Sequence, residues 1–136
     1  MPLEARNKAL QAAQSALAKK AKNVLVLELK GLAIFTDYFV ICSGESTTQV
    51  RAIAEHIESE FAKHALKPLS VEGLRYAHWV LMDYGDAIIH IFEEETRAYY
   101  ELEKLWLDAP RIDIPERERT LCQKDRYTSR DERYSP

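Results

Sequence analysis

Hydrophobic positions along the chain change their spacing several times, and each change marks an element. Leu3, Leu10, Ala13 and Leu17 recur at helical spacing among strong helix formers over residues 3–22. They predict an amphipathic helix whose alanines suit close packing on a sheet. VLVLEL (24–29) and DYFVICS (37–43) are short β-rich runs parted by Lys30-Gly31 and a Phe35-Thr36 corner, and predict adjacent strands. Ser46-Thr47-Thr48-Gln49 has the form of a capping box, a Ser hydroxyl for the first orphan amides and Gln three residues on. Beyond it Val50, Ile53, Ala54, Ile57, Phe61 and Ala65 repeat at three and four, which predicts a second helix ending near Pro68. LSVEG (69–73) is at most a short strand, and HWVLMDYGDAIIHIF (78–92) reads as a hairpin. Glu93, Glu94 and Glu95 suit the positive end of a last helix, with Ala98, Leu102, Leu105 and Ala109 as its inward stripe until Pro110. The order α-β-β-α-β-β-β-α describes an α/β (α+β) domain, a mixed sheet of mostly five strands flanked by helices.

Composition narrows this picture. A chain of 136 residues with 46% hydrophobic content fits one compact domain. We place that domain at residues 1–110, because the chain from Arg111 carries seven basic and six acidic residues with few aliphatics. Residues 111–136 are expected to form a flexible or weakly helical tail. The net charge of −3 lacks the Lys/Arg excess that drives nucleic-acid affinity. Cys42 and Cys122 belong to no metal-ligand spacing, and no segment resembles a signal peptide or a membrane span. A reduced, cytoplasmic protein is the expectation.

The hairpin is the natural place to look for chemistry. A two-residue Tyr84-Gly85 loop would set Asp83 opposite Asp86 and Trp79 opposite His90. One face would then hold Val80, Met82, Ala87 and Ile89, and the other Trp79, Leu81, Ile88 and His90. Facing carboxylates repel, so either turn amides or a cation from a bound protein should compensate them. They straddle a turn instead of projecting from one strand face, which argues against a metal pair. The Ser43-Gly44-Glu45-Ser46 turn lacks the lysine and pattern of a phosphate loop and reads as a helix cap. His56, His64, His78 and His90 form no ligand set, and Cys42 has no local base. No catalytic constellation and no cofactor site emerge. Tyr99, Tyr100 and Trp106 either widen the core or edge an interaction surface.

Several of these strings together resemble one family. Thr36-Asp37-Tyr38-Phe39-Val40-Ile41, Ala52-Ile53-Ala54, Glu72-Gly73, Trp79 through Asp86, His90-Ile91-Phe92, Arg97, and Tyr100 through Trp106 are similar to the ribosomal silencing factors, or Iojap-like proteins, over residues 5–109. The resemblance implies a nucleotidyltransferase-like sheet without catalytic carboxylates and a non-enzymatic translation regulator. Such a protein would bind the large ribosomal subunit through its ribosomal protein number fourteen and block joining with the small subunit when nutrients are short. Large-subunit assembly is the alternative role, a nucleotidyltransferase-like enzyme a more distant one, and a free homodimer is compatible with the family. The candidate contact residues are Trp79, Asp83, Tyr84, Gly85, Asp86, Tyr100, Leu105 and Trp106, together with His90 on the mixed face. An acidic chain gains steering toward a basic ribosomal protein and is held off bare rRNA.

Overall fold

The computed structural model describes residues 4–115. Its elements run α1 (Ala5–Ala18), β1 (Lys22–Glu28), β2 (Tyr38–Gly44), α2 (Thr47–Ala62), β3 (Ser70–Glu72), β4 (Trp79–Asp83), β5 (Ala87–Glu93) and α3 (Glu94–Tyr100), followed by a 3-10 helix at Leu102–Trp106. The predicted order and the single five-stranded mixed sheet are both present, with strand order β1-β2-β5-β4-β3. Only β2 and β5 are parallel, because α2 and the β3-β4 excursion separate them in sequence. The sheet therefore carries its two most buried strands at its centre.

Both long helices pack on one face. α1 buries Ala9, Ala12, Ala13 and Ala16, while Leu10 and Leu17 are only half-buried. Of the expected stripe Ala13 is buried and Leu3 lies outside the described residues, while the alanine face packs on the sheet as expected, since small side chains let the helix axis approach more closely than leucines would. α2 buries Val50, Ile53, Ala54, Ile57 and Phe61 as its spacing predicts, but Ala65 lies past its end at φ 59 and is exposed. Against these helices stand Val26, Val40, Cys42, Val80, Met82, Ala87, Ile89 and Ile91.

Helix α2 also ties the layer together at its start. The Ser46 hydroxyl accepts from the Gln49 amide at 3.1 Å, as a cap should. The Gln49 side chain accepts from the Glu45 amide at 2.7 Å, and its Nε2 donates to the carbonyls of Lys19 and Lys20, each at 3.1 Å. One residue thereby satisfies the start of α2 and the end of α1.

The last predicted helix is not continuous. Glu101 takes a left-handed conformation, φ 50 and ψ 48, which stops α3 after seven residues and starts the 3-10 helix in a new phase. The predicted stripe is broken with it: Ala98 and Leu105 are exposed, Leu102 is half-buried and Ala109 is buried. From there the chain turns back along β1, where the Glu28 amide donates to Pro110 O and the Ile112 amide to Val26 O, both at 2.9 Å. Ile112 and Ile114 pack on the margin of the core, so residues 111–115 line the β1 edge. The remainder of the expected tail, 116–136, lies outside the described residues.

Candidate functional site

The hairpin settles two positions away from the register its sequence suggests. Gly85 and Asp86 form the loop, Tyr84 faces Ala87, and Asp83 faces Ile88 in place of Asp86. Gly85 holds φ 88 at the first loop position, a conformation open to glycine and costly for the Tyr84 that the other register would put there. Because side chains alternate with period two, a shift of two leaves both faces intact. Val80, Met82, Ala87 and Ile89 do meet the helices, and Trp79, Leu81, Ile88 and His90 do point the other way.

Neither carboxylate at the corner is left waiting for a partner. Asp83 Oδ1 accepts from the Gly85 amide at 2.8 Å, the turn bond that aspartate commonly makes. Asp86 Oδ1 pairs with Lys8 Nζ of α1 at 2.8 Å. Its carbonyl also receives the amides of Asp37 and Tyr38, and the Thr36 hydroxyl donates to Gly85 O at 3.0 Å. The cation foreseen from a bound protein is supplied by the protein itself. Tyr84 turns to the helical layer, 5% exposed, with its ring 4.4 Å from Phe61, so it belongs to the core. Lys8 and Thr36 were invisible as corner partners in the sequence, since each reaches Asp86 or Gly85 only once the sheet has formed.

Trp79 and His90 occupy the centre of the opposite face. The Trp79 indole Nε1 donates to His90 Nδ1 at 3.1 Å, which leaves a neutral imidazole with its proton on Nε2. His90 is buried and Nε2 finds no partner; desolvation pulls its pKa down to about 4, so the ring is neutral at physiological pH. Around this pair runs a row of aromatics: Tyr100 lies 5.0 Å from Trp79, Phe39 4.5 Å from His90, and Trp106 5.9 Å from Phe39, with Phe35 beyond it at 6.1 Å. Phe35 and Phe39 were not among the candidate site residues, although the alternation of DYFVICS puts Phe39 on the face of Ile41.

Among the described residues no long helix covers this side of the sheet; only α3 and the 3-10 helix lie along it, with Leu102 and Trp106 packed on Leu27, Leu29, Phe39, Ile41 and Phe92. Tyr100, Leu105, Tyr99, Phe35 and Leu107 all expose large apolar surface, and Ile34 projects fully into solvent. Trp106, Leu105 and Leu107 line a shallow cleft with Leu32, Ala109 and the charged Lys104 and Asp108. Residues 93–108 supply six carboxylates against Arg97 and Lys104, so the segment is acidic overall, although Glu103 pairs with Arg97, Glu101 with Lys104 and Glu94 with Lys22. An apolar, aromatic patch with a charged rim has the make-up of a protein-binding surface.

The remaining candidates for chemistry are occupied or shielded. Glu45 pairs with Lys22, and Ser46 caps α2. Cys42 is fully buried, and desolvation pushes its thiol up to about 12, the opposite of an activated nucleophile. Among the described residues no three His, Cys, Asp or Glu side chains are grouped to hold a metal ion, and no helix is long and apolar enough to cross a membrane.

Comparison with known proteins agrees with this fold. The sequence model described as "Ribosomal silencing factor during starvation" matches residues 2–135. The ribosomal silencing factor RsfS of Bacillus subtilis is 43% identical over 96 residues, covering 71% of this chain and 81% of that protein. The mouse protein named mitochondrial assembly of ribosomal large subunit protein 1 is 38% identical over 93 residues, 65% of this chain and 40% of its own length. A crystal structure from Chromobacterium violaceum superposes with a TM-score of 0.74 at 26% identity, covering 76% of this chain and 87% of that one. The chain belongs to the RsfS family of ribosomal silencing factors.

Proposed function

We propose that this protein regulates translation by docking its open sheet face on the large ribosomal subunit, through ribosomal protein number fourteen, and so blocking joining with the small subunit when nutrients are short. The observation that carries the reading is the exposed apolar margin of that face, Phe35, Tyr99, Tyr100, Leu105 and Leu107, seated on the partly buried aromatic row Trp79-His90-Phe39-Trp106. Aromatic anchors at the centre of a patch dominate binding energy. The acidic rim favours a basic partner and disfavours bare RNA. Trp79, Tyr100, Leu105 and Trp106 make the contact, and His90 fixes Trp79 from beneath. Asp83, Gly85 and Asp86 hold the corner that supports β4 and β5.

The protein acts in the cytoplasm as a binding protein without enzymatic activity, and free copies pair through the same apolar face. A role in large-subunit assembly is the second reading, favoured by the name of the mouse relative. Both roles need the same docking surface, and subunit joining separates them. With purified subunits on a density gradient, stoichiometric protein should abolish the joined peak, and Trp79→Ala, verified as folded, should restore most of it. An undiminished joined peak in excess wild-type protein rules out silencing. Calorimetric binding of nucleotide with Mg²⁺ would instead favour an enzyme of the nucleotidyltransferase type.

A further inference from the structure

Helix α3 and the 3-10 helix carry Tyr99, Tyr100, Leu105 and Trp106, yet neither contains a single buried residue. Leu102 and Trp106 pack only partly on the sheet. The apolar burial that normally fixes a short helix is therefore small, since seven and five residues are too few to be stable alone. The two pieces also meet at Glu101, a non-glycine residue in the left-handed region, which needs support from its surroundings to persist.

Arg97 provides that support. Its guanidinium, with only 11% of the side chain exposed, donates from Nη1 to Asn23 O at 2.8 Å and to Ser43 Oγ at 2.9 Å, at the ends of β1 and β2. From Nε it reaches Glu103 Oε2 at 3.3 Å. The Glu103 contact spans the Glu101 kink, so one planar group joins α3, the 3-10 helix and two strands. Arginine suits this task because its donors are fixed in one plane, whereas lysine offers a single point charge on a flexible stem. Open space on both sides of Arg97, lined by Glu94, Glu101 and Lys104 on one and by Leu25 and Arg111 on the other, means that no packing would take over if the clamp were lost.

We infer that Arg97 is the positioning residue of the docking surface: its clamp on Asn23, Ser43 and Glu103 sets where Tyr100 and Trp106 stand. The part of this inference that concerns ribosome binding rests on the function proposed above. The placement of the two helices does not.

Hydrogen exchange on the full chain tests the placement directly. In Arg97→Ala, and less strongly in Arg97→Lys, amides of residues 97–109 should exchange at least about tenfold faster while those of β2 and β5 keep their protection. Glu103→Gln retains an acceptor without the charge, disturbs packing little, and should give a smaller change in the same segment. Association with large subunits should weaken about tenfold in Arg97→Ala, and adding Glu103→Ala to it should weaken it little further, because both act through one clamp. Unchanged exchange in residues 97–109, or an equal rise across β2 and β5, overturns the inference. Should Trp79→Ala bind subunits as well as the wild type, the proposed docking face fails, while the exchange result still decides the role of Arg97.

Discussion

His90 shows how one buried residue links pH to stability. Folding leaves its pKa near 4 against an ordinary 6.5, because burial penalises the charged ring. Between those values the unfolded chain binds the extra proton, so stability rises with pH across this window and is lost as pH falls from about 6.5 toward 4. Below both values the loss is complete, on the order of 3 kcal/mol for a shift of this size. Denaturant unfolding at a series of pH values should show this slope, and His90→Gln, which keeps an acceptor for the Trp79 indole, should flatten it. A slope unchanged by the substitution would assign the effect to other groups. Gly73 offers a second residue-scale test. It turns at φ +83, and an added Cβ would stand 2.1 Å from the Trp79 carbonyl oxygen, whereas at Gly85, φ +88, a Cβ meets only Leu69 at 3.7 Å. Gly73→Ala should therefore cost about 2–4 kcal/mol, combining backbone strain with a main-chain clash, and Gly85→Ala about 1–2 kcal/mol from strain alone. Equal unfolding midpoints for the two variants would show that the loop around Gly73 yields freely.

At the scale of elements, Gln49 ties two helices that share one layer but meet end to start. Its side chain holds the Glu45 amide and two carbonyls at the end of α1, where Lys20 sits in the left-handed region at φ 64. Gln49→Ala should destabilise by about 1–2 kcal/mol although the site is partly open to water, since it frees a cap and two helix-end carbonyls together. Gln49→Glu keeps the acceptor for Glu45 but turns a donor into a carboxylate facing those carbonyls. It should be at least as harmful as alanine, and thermal melts of both variants check the order. A Gln49→Glu protein as stable as the wild type would reduce Gln49 to an ordinary cap. The break between α3 and the 3-10 helix belongs to this scale too. Nothing in the run Tyr99-Tyr100-Glu101-Leu102 forbids a continuous helix, and glycine or proline is absent there. The kink brings Glu103 back to Arg97, a residue six positions earlier that would stand on another face of a continuous helix.

Across the whole molecule, the exposed aromatics of α3 and the 3-10 helix stand beside an acidic segment. The chain is acidic overall, with carboxylates concentrated in residues 93–108 beside the exposed aromatics. Association with a basic ribosomal partner should slow as salt is raised, because exposed charges more than about 10 Å apart are screened at 0.1 M. Dissociation, governed by the aromatic anchors, should change much less. Stopped-flow binding from low to moderate ionic strength measures both, and a salt-independent association rate would count against electrostatic steering. Element order, strand count, the buried face of α2 and the two faces of the hairpin were legible in the chain, because each follows from local periodicity, and a register slip of two residues leaves period-two faces unchanged. Its family strings also pointed to the ribosomal silencing factors. The hairpin register turned on a local preference that the Tyr84-Gly85 reading missed, glycine at the first loop position. The pairing of Lys8 with Asp86, the withdrawal of Tyr84 into the core and the Arg97 clamp came only with the assembled fold. Those outcomes depend on groups up to 78 residues apart in the chain, and long-range partners of that kind leave no local pattern from which they could be read.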